Sequence, residues 1–341
     1  MSSVDVTIHQ INTAVTAVVL FISIINFIFG GIGLIFNVLI FTRPSLRGEP
    51  CSLYFLFSTF FNLFFIFVIV PVRIVSEGFN MDLANFNLVI CKTELFTFYI
   101  ARTIPCWLIA FACADRYFKS SATINIRQIS SYKIAKIAIG IIIIAIIILY
   151  SHMLIFYNIS YVYDQFGNLT PACYGQKGIY RTFIAFWAMI LYSLCPSLLM
   201  LLFGCLTLNN LHQHRKVIPM VPQNNHTIRR TDTQLSRMLA FQVLVIVIST
   251  LPFSIYRLYA SFTISIPKDS LRLAKENLAY EIASMLTQFA HSTSFYLYTL
   301  TGSAFRKEFF KIIRQHRHQN RIGFTKAQDE IHQISMMPTH R

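Results

Sequence analysis

The chain has 341 residues, 55% of them hydrophobic and only 13% charged, with a formal net charge of +15. Water-soluble proteins carry about 25% charged residues, so the composition excludes a soluble enzyme and implies a lipid solvent. The basic excess does not signal nucleic acid, because the Lys and Arg residues sort between apolar blocks instead of forming one patch.

Seven apolar blocks fall at about 15–41, 52–75, 90–115, 134–157, 179–207, 236–260 and 279–301. Each is near or above the roughly 20 residues that cross a bilayer as a helix. The expected fold is therefore an all-α integral membrane bundle of seven helices over 15–301. Residues 1–14 are read as an outer tail; they have no basic region and no small-residue cleavage site, so the first block acts as its own anchor. The fourth block, "IAIGIIIIAIIILY" (Ile137 to Tyr150), has no polar side and cannot lie half in water.

With the N-terminus outside, the inner segments hold 20 of the 29 Lys and Arg against six acids, and the outer segments hold eight of each sign. Cytoplasmic loops carry such an excess, which predicts a multi-pass protein of the plasma membrane with a cytoplasmic C-terminus. Sequons at Asn158 and Asn168 lie in the outer loop after the fourth block and are candidate glycosylation sites; one at Asn225 lies in a basic inner loop. Around "FGN" in that outer loop, alternating strand-like residues predict a hairpin. The inner loop from about 209 to 236 reads as a connector with helical ends. In 302–314, Phe305, Phe309, Ile312 and Ile313 recur at helical spacing with Arg306, Lys307, Lys311 and Arg314 turned away, predicting a short amphipathic eighth helix at the inner interface. Residues 315–341 are polar, basic and expected to be disordered.

Cys91 and Arg116 stand 25 residues apart, roughly 37 Å along a helix, so they mark opposite faces of a hydrocarbon core of about 30 Å. Cys91 then faces an oxidising compartment, where the other outer cysteine is Cys173; a bond between them would pin the loop over the bundle mouth. The alternative is seven free thiols. Arg102 lies between these ends, roughly 16 Å below Cys91, and shares a helical face with Phe98 and Pro105. A charge at that depth either binds a ligand anion or carbonyl, or pairs internally with Glu94, Glu281 or backbone carbonyls. Arg181 and Arg257 near the outer ends of the fifth and sixth blocks extend this to a basic, aromatic-rich pocket.

Asp115, Arg116 and Tyr117 form "DRY" at the inner end of the third block. Asn37 in "GLIFNVLIF", the Cys91 spacing before "DRY", Cys173 in the long loop, Pro71, Pro196 and Pro252, and Tyr298 in "SFYLY" ahead of "FRKEF" accompany it. With these motifs the chain resembles the rhodopsin-like G-protein-coupled receptors from the first block to about residue 314. The resemblance implies a receptor, not an enzyme. Its implied partners are a lipid bilayer, a heterotrimeric G protein and an extracellular peptide or small-molecule ligand, with no cofactor. It further implies that Arg116 pairs in the resting state with Asp232 at the inner start of the sixth helix. Ligand binding would break that bridge and swing the sixth helix outward, with Asp115, Tyr117 and Tyr298 in the same switch.

Several family positions depart from the pattern. The second-helix aspartate that binds sodium is Asn62, the sixth-helix tryptophan is Thr250, and "NPxxY" reads "SFYLY" with Ser294 and Phe295 in place of Asn and Pro. Phe98 stands where monoamine receptors hold an aspartate, and Gln288 where opsins hold a lysine. The implied ligand is then a peptide, such as an amidated neuropeptide, with a small acid or an odorant as the alternative. A transporter, the competing class, would show internal repeats or several intramembrane acids; neither is visible. No His/Asp/Glu set shares one depth to bind a metal or do acid–base work.

Overall fold

The computed structural model describes residues 3–315 except 80–81, 164–168, 177, 218–225, 264–265, 267 and 304, with backbone alone at 3–5, 77–79, 162–163, 211, 214–217 and 226–235. Six described helices are long and apolar enough to cross a membrane: α1 (Val6–Phe41), α2 (Pro50–Ser76), α3 (Leu88–Ser120), α4 (Tyr132–Phe156), α5 (Ile179–Asn210) and α6 (Ser236–Phe262). Their starts follow local chemistry. Asn87 accepts the N–H groups of Val89 and Ile90 ahead of α3, Ser131 accepts that of Ile134 in α4, and Pro50 opens α2, where no N–H partner exists to lose. On the outside of the bundle, Ile141, Ile148 and Leu300 are among many large apolar side chains left exposed. Only acyl chains satisfy such a surface.

α7 comprises Ser270–Ser292 and, after a break at Thr293, Ser294–Thr301. Arg272, Lys275, Glu276 and Glu281 make its first half too polar to stand with the other six by composition. The seventh block was expected only from 279; the helix starts nine residues earlier because Ala274 and Glu276 are buried against their neighbours. The helical backbone of α1 likewise reaches back beyond Val6 to Ser3, inside the expected outer tail, and Ile8 is buried on it. Residues 305–315 form α8. Phe305 is buried and Phe309 and Ile312 pack on the core, whereas Arg306, Lys307, Lys311 and Arg314 are exposed. The tail 316–341 lies outside the described residues.

α7 closes against α1 along a polar seam. Gly30 admits this approach, since a methyl group there would meet the Ser292 Cβ at 2.6 Å. Ser292 donates to Asn26 Oδ1 at 2.8 Å, Asn37 Nδ2 donates to Ser294 Oγ at 2.9 Å, and Tyr296 donates to the Phe29 carbonyl at 2.9 Å. The predicted hairpin is present as β1 (Tyr157–Tyr163) antiparallel to β2 (Leu169–Gly175), with Ile159 opposite Cys173. A Cys91–Cys173 disulfide joins β2 to the start of α3, and Cys51, Cys106, Cys113, Cys195 and Cys205 are free. Asn158 is exposed on β1, and Asn168 lies outside the described residues.

Candidate functional site

Beneath the hairpin, at the disulfide end of the bundle, lies a cavity of about 410 Å³. Phe98 and Tyr99 of α3, Arg181 of α5, Phe253 and Arg257 of α6 and Tyr280 of α7 line it, with Cys173 and Tyr174 of β2 at its roof. Among the described residues that line it there is no carboxylate. Arg257 Nη2 donates to the Tyr99 hydroxyl at 2.9 Å. The Arg181 guanidinium lies 4.8 Å from the Tyr174 ring centroid, and its buried Nη2 has no hydrogen-bond partner. The Cys173 N–H donates to Asn85 Oδ1 at 2.9 Å, so the roof is tied to the chain before α3 by more than the disulfide.

Arg102 sits one layer deeper, only 3% exposed. Its guanidinium is 4.6 Å from the Phe98 ring centroid and 4.5 Å from that of Phe253, with Tyr192 at 5.3 Å and Phe65 at 5.8 Å. Ring faces attract a cation by about 2 kcal/mol or more when desolvated, yet Nε and Nη2 remain without acceptors. The pairing with Glu94 or Glu281 that the sequence left open is not made. Glu281, expected in the pocket, instead binds Arg73 of α2 at 3.4 Å and does not line the cavity. Arg102 itself lies beneath Phe98 and Phe253, which form the floor.

At the opposite end, Arg116 is 3% exposed and bonds Asp115 Oδ2 at 2.9 Å, while Ser130 donates to Asp115 Oδ1 at 2.7 Å. A second acid was missed by sequence reasoning. Glu49, the residue before α2, accepts from Arg116 at 3.4 Å and from Lys119 at 2.5 Å. Burial raises the Glu49 carboxyl, but the hydrogen bond and charge of Lys119 and the charge of Arg116 outweigh it and hold the group below its ordinary value. The available signal was that Glu49 is the one acid between the first two apolar blocks. The side chain of Asp232, which the resemblance assigned to this arginine, lies outside the described residues; its backbone is helical, continuous with α6 from His226. A second cavity, about 140 Å³, opens beside Arg116 between α3, α5 and α6, lined by Cys113, Met200, Gly204, Leu239 and Val243. Tyr117 packs on Phe203 of α5. Tyr298 is buried among Phe41, Phe55 and Phe305, linking α7 to α1, α2 and α8.

Midway along the bundle, Asn62 Oδ1 is 2.8 Å from His291 Nδ1, and Thr250 is 3.1 Å from Ser193. The position where receptors of the resembled family hold a sodium-binding carboxylate is thus a neutral amide already engaged by an imidazole. These residues do not fit a sodium ion. Replacing sodium by choline chloride at constant ionic strength is expected to move the melting temperature of the purified protein by less than about 1 °C, since an ion that does not bind the folded state does not stabilise it. A rise of several degrees with sodium would refute this.

A profile described as 7 transmembrane receptor (rhodopsin family) matches residues 33–295. The chain matches no curated protein. The matched segment spans α1 to the break in α7 and contains both cavities, the disulfide and Arg116. The chain therefore belongs to the rhodopsin family of seven-transmembrane receptors.

Proposed function

We propose that this receptor sits in the plasma membrane with its N-terminus and hairpin outside, and that an extracellular ligand in the hairpin-covered cavity activates a heterotrimeric G protein through movement of α6. The observation that carries the reading is Arg116, a buried guanidinium held by Asp115 and Glu49 at the edge of a cavity between α3, α5 and α6. In the resting state Asp232 is a further partner, and outward movement of α6 widens this cavity for the G protein. The ligand cavity couples to the movement because Phe253 and Arg257 belong to α6 itself. A strand hairpin over the cavity suits a peptide ligand; the arginines around it suit a small acid.

A G-protein reporter in transfected cells tests the reading. At matched surface expression, Arg116→Ala is expected to lower the basal signal about tenfold, the equivalent of about 1.4 kcal/mol of coupling. An unchanged signal would remove Arg116 from the switch, and solute uptake indifferent to guanine nucleotides would point to a transporter.

A further inference from the structure

The distribution of charge around the hairpin-covered cavity goes further than its place in the family. Among the described residues, two guanidiniums, those of Arg181 and Arg257, line it and no carboxylate does. Of the described acids near this end of the bundle, Glu281 binds Arg73, Glu276 binds Lys268 and Arg272 while accepting from Tyr259, and Glu94 is not among the residues that line the cavity. Arg257 donates to a neutral hydroxyl, that of Tyr99, and Arg181 keeps a buried N–H group with no acceptor. Below the floor, Arg102 adds a third positive charge whose nearest partners are the faces of Phe98 and Phe253, the same two rings that line the cavity from the other side. A cationic cluster held in apolar surroundings is costly unless an anion completes it, and a guanidinium with free N–H groups presents the fork that a carboxylate fills.

We propose that the cavity selects a ligand bearing a carboxylate attached to an aromatic or apolar body, the carboxylate bridging Arg181 and Arg257 while the body lies against Phe98, Phe253 and Tyr280. This rests on the receptor reading of the same cavity and narrows it to one chemical class. A free small acid and the C-terminal carboxylate of a peptide offer the same group. An amidated peptide does not, and an amine would meet repulsion. The size of the cavity, about 410 Å³, holds a small molecule or the last residues of a peptide.

The test uses the full-length receptor in lipid nanodiscs and reads binding by thermal shift, which needs no G protein. The probes are indole-3-acetate and 3-phenylpropionate with their primary amides, and the tripeptide Gly-Phe-Phe with a free or an amidated C-terminus. At least one acid is expected to bind about tenfold or more tightly than its amide; the small acids and the free-terminus tripeptide separate the two sources of the group. Arg181→Gln is expected to erase that preference without lowering the melting temperature of the ligand-free receptor. Because Arg257→Gln also strips a donor from Tyr99, Arg257→Lys serves as its companion and is expected to keep the preference. The proposal is overturned if amides bind as well as acids, if no acid binds, if the preference survives Arg181→Gln, or if that replacement destabilises the empty receptor. Acid binding with a reporter blind to Arg116→Ala would leave this inference standing while the signalling reading fell.

Discussion

Serine at Cys91 or at Cys173 is expected to remove most of the receptor from the cell surface, and the two single replacements are expected to be equally severe. The bond closes a loop with a sequence separation of 82. In the chain-entropy treatment, opening a loop of that length costs the folded state about 4.5 kcal/mol. The bilayer lowers the figure, because α3 and α4 within the loop are confined by lipid before the bond forms. Removal of a native disulfide costs about 2–5 kcal/mol in small domains, and a loss even at the lower end is a large part of a marginal stability. What is released first is the roof: Cys173 sits in β2 beside Tyr174, over Arg181 and Arg257. The hydrogen bond from the Cys173 N–H to Asn85, the Tyr174 ring against Arg181 and the burial of Tyr157 then hold the hairpin without a covalent tie. The double replacement should be no worse than either single one, since both remove one bond. Surface labelling of intact cells decides the matter; wild-type levels and wild-type ligand response in both single variants would show the bond to be dispensable.

Glutamine at Glu49 is expected to raise ligand-independent signalling about three- to tenfold. The side chain is about a quarter exposed, so its bond to Arg116 is screened and worth only about 1 kcal/mol, and that amount shifts a two-state equilibrium about fivefold. The replacement keeps the shape and removes the charge that faces both Arg116 and Lys119. Asp232→Ala in the same assay compares the acid that the family pattern favours with the one found beside Arg116. The sign with pH is fixed by the lowered Glu49 group. Its contribution is complete above the ordinary carboxylate value and fades only as pH falls through the depressed one. Basal activity should therefore be flat between pH 6 and 8 as far as Glu49 is concerned. A silent Glu49→Gln variant would mean that the resting state does not depend on Glu49.

Hydropathy resolves depth along the membrane normal, and that is the part of the fold that was legible. Six blocks, the hairpin about "FGN", the Cys91–Cys173 pair and the amphipathic face of α8 could all be read because each depends on short-range pattern or on which end of a helix a residue occupies. Rotation about a helix axis could not be read so easily. Arg257 meets Tyr99 across 158 residues and Arg73 meets Glu281 across 208, and no local period announces either. The polar first half of α7 was cut short because Arg272, Lys275 and Glu276 look like loop by composition alone. Arg102 is buried inside the bundle, but its neighbours were sought among acids when they are rings. Glu49 was overlooked because the family pattern directed attention to α6.

The polar seam of α7 bears on how the protein is made. Six helices are greasy enough to partition into lipid as they emerge, and the seventh is not. Its entry depends on hosts already in place. Asn26 and Asn37 of α1 and Asn62 of α2 supply the polar contacts that Ser292, Ser294 and His291 find on arrival. The first segments synthesised thus wait, with amides unmatched in the hydrocarbon, for the last one, and the bundle is completed by a helix that its earliest members must recruit.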